Sequence, residues 1–559
     1  MAAFALDRVR HIHFVGIGGA GLSAIARVVL ERGHVVSGSD LNPGPVTEAL
    51  ARDGATIYRG HKAVYARGAD AVVRSSAVRD DNPEVAEARS RGVPVFRRAD
   101  FLPLLLADRV NVAVAGTHGK TTTTGMIAHI LEAAGLAPGF IVGGEVHNLG
   151  TNARAGQGAM FVIEADEYDN MFLGTRPQVA VITNIEHDHP DMFADRGAVV
   201  AAFAGFVLRL PENGLLVACG DDLGARALGN VWRAAGRRTL FYGLEHHNLD
   251  WRATGLGPNN AGGTDFVVER WGRALGSVRL TAPGRHNVLN ALAALAAADY
   301  FGVLFEEAEA ALHAFVGVGR RFEVRGQRAG VTVIDDYAHH PTAIRATLAA
   351  ARARYPDRTL WAVWQPHTYT RTRTLLDDFA QAFGDADRVL VTDIYAAREQ
   401  DTLGLTGADV AGRVAAHHPW VRHVAALSAV VDKLAADTTA GDVVVVMSAG
   451  DAVQVGGVLL ERLAARAEAE VATEANPFLD TSGYEDFDDP FAAGFDEEEA
   501  LIEEFGDIPK DMVKEIRRQA RARKVPITRE LVERVRRSLE AGADVDAALD
   551  GLDAVGDDG

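Results

Sequence analysis

The sequence predicts an α/β fold of three consecutive domains followed by a C-terminal extension. Over most of the chain, β-branched runs lead into glycine-rich or polar turns and then into helical patterns, which is typical of parallel sheets covered by helices. At about 150 residues for a domain, a chain of 559 residues allows three or four. We expect the domains at residues 1–106, 107–317 and 318–462, and the extension at 463–559.

The first domain begins with a strand, a glycine turn, a helix and a second strand, between residues 11 and 40. Gly16, Gly18 and Gly21 fit the pattern G-x-G-x-x-G, and Asp40 ends the second strand. Glycines let the backbone approach a diphosphate closely, and the carboxylate suits a ribose hydroxyl. The pattern does not distinguish NAD from a UDP-sugar, and glycine turns also serve tight packing of a helix on a strand. His61 and Ser76 lie at later strand ends, where ligand sites of α/β proteins collect, although such residues more often serve turns or caps.

The second domain opens with residues 111–124, NVAVAGTHGKTTTT. An apolar strand runs into Gly116 and Gly119, and Lys120 and four threonines precede a helical pattern. Backbone N–H groups at such a helix start bind phosphates, the lysine reaches the terminal phosphates, and the first threonine can bind Mg²⁺. The usual phosphate loop has a glycine where this chain has Val114, so we interpret the loop as a shortened variant. The alternative is a turn that uses glycine and threonine only for capping.

Two further strands of this domain end in clusters of acidic and histidine residues. Carboxylates at such strand ends, downstream of a phosphate loop, are good Mg²⁺ ligands because hard cations prefer oxygen. The clusters comprise Glu164, Asp166, Glu167 and Asp169 after the first strand, and Asn184, Glu186, His187, Asp188, His189 and Asp191 after the second.

The rest of the second domain predicts antiparallel strands over residues 240–280 and then an alanine-rich helix. His286, Asn287 and Asn290 stand at that helix start, where they either cap the helix or contact a nucleotide base. In the third domain, one strand ends in residues 335–340, DDYAHH, and another in residues 365–373, QPHTYTRTR. Arginines beside a strand end suit an anion, although they also occur at solvated helix starts.

Composition restricts the class of protein. The net charge of −19 argues against a general nucleic-acid binder, although much of it lies in the extension. A single cysteine, Cys219, excludes a disulfide framework, and no apolar run reaches the roughly 18 residues of a membrane span. With a strand starting near residue 11, we expect no signal peptide, no membrane insertion and a cytoplasmic location. The extension is acidic, then helical in pattern over 509–550, and predicts a partly disordered segment that could engage a protein partner.

Taken in order, these motifs resemble those of the Mur ligases of peptidoglycan synthesis. The resemblance spans about residues 10 to 460 and includes GTHGKTTTT, EADEYD, NIEHDH, GRHNVLNALAA, GVGRRFE, DDYAHHPTAI and QPHTYTRTRTLLDDF. It implies an N-terminal Rossmann-like domain for a UDP-sugar, a central P-loop ATPase with a parallel sheet, and a C-terminal Rossmann-like domain. It also implies ATP-dependent, Mg²⁺-assisted joining of L-alanine to UDP-N-acetylmuramate through an acyl phosphate.

The resemblance also implies roles for individual residues. UDP-sugar contacts fall on Gly18, Gly19, Gly21, Asp40, His61 and Ser76. ATP contacts fall on Gly116, Thr117, His118, Gly119, Lys120, Thr121, Thr122, His286, Asn287, Asn290, Asp336 and Arg321, with Arg320 as an alternative to Arg321. Metal contacts fall on Thr121, Glu164 and His189. The catalytic set is Lys120, Glu164, His189, His340, Arg371 and Arg373, with His339 nearby.

Three residues depart from the pattern usual for the alanine-adding branch of the family. Tyr168, Ala338 and Ala343 resemble instead the recycling branch, which joins UDP-N-acetylmuramate to a murein tripeptide. The remaining motifs favour alanine, so the tripeptide stays the alternative. A more distant alternative is an NAD-dependent oxidoreductase that uses only the first glycine turn. A recruiting role for the acidic extension is compatible with catalysis.

Overall fold

The structure is a computed structural model that describes residues 6–397, 399–400, 404–474 and 537. Three separate sheets with intervening helices confirm the expected three-domain α/β fold. The described residues up to Val471 form one compact unit. Apart from residue 537, the predictions for the chain beyond residue 474 lie outside the described residues.

The first sheet carries the N-terminal glycine turn. Its elements are β1 His11–Val15, α1 Ala20–Glu31, β2 Val35–Asp40, α2 Pro45–Arg52, β3 Thr56–Arg59, β4 Ala71–Arg74, α3 Pro83–Ser90, β5 Val95–Arg97 and α4 Arg98–Leu105. All neighbouring strands are parallel, in the order β3-β2-β1-β4-β5. The strand order reverses at β1, so a crevice forms beyond its carboxyl end, where the glycine turn lies.

The second sheet is the largest and has ten strands. Its elements are β6 Val110–Ala115, α5 Lys120–Ala133, β7 Gly139–Val146, β8 Thr151–Arg154, β9 Met160–Glu164, β10 Val179–Ile182, α6 Arg196–Val207, β11 Leu215–Cys219, α7 Leu223–Ala234, β12 Thr239–Gly243, β13 Trp251–Pro258, β14 Thr264–Arg270, β15 Arg273–Leu280, α8 Arg285–Tyr300 and α9 Phe305–Ala314. The strand order is β15-β14-β13-β12-β11-β10-β6-β9-β7-β8.

Strand β6 lies inside this sheet, between β10 and β9, and is parallel to both. Val112 and Val114 have no exposed surface, as expected for a strand covered by helices on both faces. Val114 is thus a strand residue rather than part of the turn, which explains why no glycine is needed there. The loop that follows β6 opens at the carboxyl edge of the sheet, beside the ends of β9 and β10.

The antiparallel prediction for residues 240–280 holds for part of that range. Strands β13, β14 and β15 pair antiparallel, but β12 extends the parallel sheet by pairing with β11, with Leu216 opposite Thr239. The sequence pattern did not reveal β8, which pairs antiparallel with β7 at the opposite edge. β8 is an edge strand and β12 is the fourth strand from the other edge, and the pairing partner of each depends on residues distant in sequence.

The third sheet has six strands. Its elements are β16 Glu323–Arg328, β17 Val331–Asp336, α10 Pro341–Arg354, β18 Leu360–Trp364, α11 Tyr369–Thr374, α12 Leu376–Ala380, β19 Arg388–Val391, α13 Gly407–Ala415, β20 Val421–His423, α14 Leu427–Asp437, β21 Val443–Met447 and α15 Gln454–Glu474. The order is β16-β17-β21-β18-β19-β20, with only β16 antiparallel to its neighbour.

Helix α15 continues through residues 462 and 463, where we expected the third domain to end. The domain boundaries themselves stay predictions. Short 3-10 turns complete the described elements, at Leu6–Arg8, Ala63–Ala66, His147–Leu149, Tyr168–Gly174 and Asp451–Val453. Within the described part of the chain, no helix has both the length and the apolar character that crossing a bilayer requires.

Candidate active site

The candidate site is built on the loop between β6 and α5. Gly116 and Gly119 have φ angles of 141° and 80°, which favour glycine because a side chain there is strained. A Cβ on Gly116 would also collide with the hydroxyl of Thr183. Gly119 caps α5, so the backbone N–H groups of the first helical turn face the loop. The local sequence therefore produces an anion-binding turn.

Lys120 is held at the mouth of this turn by two acceptors. Its Nζ lies 2.7 Å from the carbonyl oxygen of Gly116 and 2.8 Å from Glu167 Oε2. Burial alone would lower the pKa of Lys120, but the carboxylates of Glu167, Asp166 and Glu164 outweigh it and raise that pKa. Lys120 is therefore a fixed cation at a helix start, where its charge is balanced by carboxylates instead of by the helix dipole.

Thr121 and Glu164 form a second polar contact beside the loop. Thr121 Oγ1 donates to Glu164 Oε1 at 3.1 Å, and the amide of Gly143 donates to Glu164 Oε2 at 2.6 Å. Two oxygens that share one Mg²⁺ at right angles lie about 2.9 Å apart. The hydroxyl and the carboxylate therefore fit neighbouring positions on a magnesium ion. Arg321, from the third domain, donates to Thr121 Oγ1 at 2.8 Å.

His189 belongs to a different group of candidate ligands. Its Nε2 lies 4.0 Å from Glu167 Oε1, and a ligand atom of Asp166 completes a group that spans no more than 4.8 Å. His189 has a φ of 55°, so its side chain leaves the backbone at an unusual angle. The structure thus separates the three predicted metal contacts into a Thr121–Glu164 pair and a His189 cluster.

A buried ion pair links the second domain to the third. Arg371 Nε donates to Asp188 Oδ1 at 2.7 Å, and the two side chains are 5% and 6% exposed. Burial opposes ionisation of Asp188, but Arg371 and nearby histidines outweigh it and hold the pKa of Asp188 well below its usual value. Arg371 Nη2 also lies 3.3 Å from His189 Nδ1. Arg373, two residues further on, is exposed, so the two arginines that we grouped together have different surroundings.

The third domain also brings His340 to the loop. The rings of His340 and His118 have centroids 4.7 Å apart, and both approach Glu186. Asp336, in contrast, accepts backbone N–H groups of Phe322 and Ala338 at 2.7 Å each. Its carboxylate therefore stabilises the turn that carries Arg320 and Arg321, and each of its oxygens already accepts a backbone hydrogen bond.

The two adjacent arginines, between which the sequence could not decide, separate in the structure. Arg321 reaches Thr121, as described above, whereas Arg320 donates to the carbonyl of Ser448 at 2.6 Å and to Asp335 at 3.3 Å. Arg320 has a φ of 60°, which turns the neighbouring side chains in different directions. Of the two, Arg321 is thus the one in contact with the loop.

The residues expected near the nucleotide base surround the start of α8. Asn290 Oδ1 accepts the hydroxyl of Thr123 at 3.1 Å, which ties α8 to α5. Asn287 donates to the carbonyl of Pro283 at 2.8 Å, but the N-cap of α8 is Gly284 and no side chain caps this helix. Burial lowers the pKa of His286 to about 4, so this imidazole is neutral at physiological pH. These contacts are structural, and base recognition by the same residues stays a prediction.

The residues expected to contact the UDP-sugar lie around the first glycine turn. Asp40 Oδ2 accepts the amide of Gly18 at 2.9 Å, so the acid at the end of β2 lies against the turn, and its contact with a ribose stays a prediction. His61 Nδ1 lies 3.0 Å from Ser39 Oγ and 3.0 Å from Glu84 Oε1. Gly19 and Ser76 are exposed in the same region, and Gly21 is half-buried.

Glu84 was absent from the sequence-based set of site residues. It has no exposed side-chain surface and binds His13 Nε2 and the Ser39 hydroxyl, each at 2.7 Å, as well as His61. Burial raises the pKa of Glu84, but these donors outweigh it, and the net shift is downward. Its sequence position at a helix start predicts only capping, so the sequence carried no signal for this network.

Together, the fold and this site define a nucleotide-dependent α/β enzyme whose phosphate loop is covered by residues of a later domain. Comparison with known protein families supports this class of enzyme. The description "Mur ligase family, catalytic domain" matches residues 11–109, "Mur ligase middle domain" matches 114–298, and "Mur ligase, glutamate ligase domain" matches 320–450. The chain belongs to the Mur ligase family.

Individual relatives support the same assignment. The UDP-N-acetylmuramate–L-alanine ligase of Geotalea daltonii is 44% identical over 82% of this chain and 98% of its own. The crystal structure of UDP-N-acetylmuramate-alanine ligase from Thermotoga maritima is similar at a TM-score of 0.70, with 29% identity over 83% of this chain and all of that one. A murein peptide ligase from Psychrobacter arcticus reaches a TM-score of 0.60, with 28% identity over 81% of this chain and 99% of its own.

Proposed function

We propose that this protein is an ATP-dependent ligase that joins L-alanine to UDP-N-acetylmuramate and releases ADP and phosphate. The observation that carries the proposal is the phosphate loop, with Lys120 at its mouth, contacted from the third domain by Arg321. This chain covers nearly the whole length of relatives that are named for this reaction.

The reaction requires an activated carboxylate. A carboxylate is a poor electrophile because its leaving group resembles hydroxide, so transfer of the ATP γ-phosphoryl group first forms an acyl phosphate. The alanine amine then attacks the carbonyl carbon, and phosphate leaves. The first step brings two anions together and the second step expels an anion, so fixed cations at the site lower the barriers of both steps.

The loop residues supply the phosphate grip. Lys120 compensates the β- and γ-phosphates, and the first turn of α5 presents its N–H groups to them. Thr121, Glu164 and His189 would hold Mg²⁺; the spacing of Thr121 and Glu164 fits one ion, and His189 lies with Asp166 and Glu167. Bound Mg²⁺ supplies charge neutralisation between the phosphates and the attacking carboxylate.

Residues of the third domain complete the site. Arg321 approaches the phosphate end of the loop through Thr121, and Arg371 places a buried positive charge beside His189. In this proposal His340 and Arg373 take part in binding the amino acid and the acyl phosphate. In the first domain, the turn at residues 16–21 binds the UDP diphosphate, and Asp40 and His61 contact the nucleoside.

The amine substrate is the point that separates alanine from tripeptide ligation. Tyr168, Ala338 and Ala343 resemble the recycling branch, but the relatives at 44% identity are named for L-alanine. We expect phosphate release from ATP and UDP-N-acetylmuramate to require L-alanine. Phosphate release with murein tripeptide but not with L-alanine would contradict the proposal. Absence of NAD binding, together with ATP hydrolysis that needs UDP-N-acetylmuramate, would dismiss the oxidoreductase alternative.

The phosphate grip is tested by Lys120→Ala. We expect turnover to fall by at least about a thousandfold, because the phosphoryl transition state loses a fixed cation, while UDP-sugar affinity stays unchanged. Lys433→Ala is the matched control, since Lys433 pairs with Asp437 on the surface of α14. Phosphate release measures turnover and calorimetry measures affinity. Turnover of the Lys120 variant within tenfold of the control would refute the assignment.

Two wider proposals accompany this function. A cytoplasmic location follows from the nucleotide substrates, and fractionation of cells tests it. A protein partner for the acidic extension stays a proposal from composition alone. Truncation after residue 474 tests it: unchanged kinetics with altered localisation would support a separate recruiting role.

A further inference from the structure

A cluster of two histidines and a glutamate lies where the third domain meets the phosphate loop. His118 is in the loop, Glu186 follows β10, and His340 caps α10. Glu186 Oε2 lies 3.4 Å from His118 Nε2 and 3.6 Å from His340 Nδ1. Ligand atoms of all three residues lie within 4.8 Å of one another.

These separations are long for hydrogen bonds but suit ligands of a common cation. A good N–H···O hydrogen bond spans about 2.7–3.2 Å. Two ligands at about 2.0–2.1 Å from one tetrahedral Zn²⁺ lie about 3.4 Å apart. The glutamate oxygen therefore has the spacing of a shared-metal ligand to each imidazole, and the two imidazole nitrogens lie within 4.8 Å of each other.

Some polar atoms of the cluster have no hydrogen-bond partner. In the described part of the chain, His118 Nε2 and His340 Nε2 are buried and have no hydrogen-bond partner, whereas His340 Nδ1, the atom 3.6 Å from Glu186, accepts the amide of Thr342 at 3.3 Å. The side chain of His340 is 6% exposed. Buried polar atoms without partners are costly, and an unfilled ligand site is one reason for them.

A neighbouring hydroxyl fixes the direction of the carboxylate in this cluster. The Thr342 hydroxyl donates to Glu186 Oε2 at 2.7 Å and orients the carboxylate, as partners of ligating carboxylates do.

We propose that His118, Glu186 and His340 bind a Zn²⁺-class divalent cation at a site separate from the expected magnesium contacts. Two imidazoles and one carboxylate suit Zn²⁺ or Co²⁺, whereas Mg²⁺ prefers a full oxygen shell. Three protein ligands leave a fourth position for water or a phosphate oxygen. Because the ligands come from the loop and from α10, the bound cation ties the third domain to the loop and slows the domain movements of turnover.

Cobalt is the probe for this site, because tetrahedral Co²⁺ absorbs visible light far more strongly than octahedral Co²⁺. The full-length protein, freed of metal by a chelator and without nucleotide, is titrated with CoCl₂. We expect strong visible bands that saturate at one equivalent, disappear when Zn²⁺ is added and persist in excess Mg²⁺. His118→Ala and His340→Ala should each weaken Co²⁺ binding by at least roughly tenfold.

His189→Ala is the matched control, since His189 belongs to the neighbouring cluster with Asp166 and Glu167. It should keep the cobalt bands. Thr342→Val, which retains both imidazoles and the carboxylate, should weaken binding by about tenfold and serves if a histidine variant does not fold. Circular dichroism checks folding. Wild-type protein without the bands, bands lost in His189→Ala, or bands unchanged in His118→Ala and Thr342→Val would overturn the proposal.

Discussion

The buried pair between Asp188 and Arg371 allows a quantitative prediction about how the third domain is held. Asp188→Asn keeps the size of the side chain but removes its charge, so Arg371 stays buried without a counter-ion. Removing one partner of a buried pair costs about 3–5 kcal/mol. The asparagine oxygen can still accept from Arg371 Nε, at the present 2.7 Å, so we take the lower value. About 3 kcal/mol corresponds to roughly a 150-fold shift in the equilibrium between docked and undocked states.

Hydrogen exchange measures that shift at the helix that carries Arg371. The amide of Thr372 donates to the carbonyl of Thr368 and is buried, so it exchanges only when α11 opens. Where exchange follows the opening equilibrium, its rate should rise by the same factor of roughly 150. The amide of Thr438, at the end of α14, should not change.

Two further variants make the prediction specific. Asp191→Asn removes an exposed carboxylate three residues away and should leave Thr372 exchange unchanged. Adding Arg371→Gln to Asp188→Asn removes the uncompensated charge and should restore part of the protection. Because the pKa of Asp188 lies well below its ordinary value, the pair contributes fully above about pH 4 and is lost only as pH falls further. An increase of less than about threefold in Thr372 exchange at pH 7 would refute the reasoning.

Three other predictions follow from single contacts. Gly143→Ala puts a Cβ 2.6 Å from Glu164 Oε2, so the Mg²⁺ concentration for half-maximal phosphate release should rise about tenfold. His286→Gln should flatten the pH dependence of stability. In the wild type, the unfolded chain takes up the His286 proton near pH 6.5 but the native protein only near pH 4. The free energy of unfolding of the wild type should therefore fall by roughly 2 kcal/mol between pH 6.5 and 5, which calorimetric unfolding measures. Glu84→Gln should weaken UDP-sugar binding about tenfold in calorimetry with little change in kcat, because Glu84 orients His61.

Each of these three predictions has an outcome that would contradict it. Gly257→Ala, where a Cβ meets nothing within 4 Å, is the control for added volume; an equal Mg²⁺ shift in both variants would deny a specific effect on Glu164. Parallel pH profiles of wild type and His286→Gln would mean that the His286 imidazole is not responsible. An unchanged UDP-sugar affinity in Glu84→Gln would make the network purely structural.

The candidate site was predictable where its parts are local in sequence. Lys120 and Thr121 follow β6 directly, and Glu164 ends β9, so parallel pairing alone brings them to one edge of the sheet. The contact at the first glycine turn was similarly predictable, since Asp40 ends the strand next to β1 and contacts Gly18. Contacts between distant segments were not predictable. Glu84 is fully buried beside His61, yet its sequence context indicates only a helix start.

The sequence by itself determined the order of the three sheets, the phosphate loop and the carboxylates at the strand ends, because hydrophobic period and turn residues act over short distances. Only the tertiary structure decided that Arg321 rather than Arg320 reaches the loop and that Asp188 pairs with Arg371. It also placed His118 beside His340. The physical reason is that backbone conformation, such as the φ of 60° at Arg320, and domain packing set side-chain directions, and neither follows from residue type.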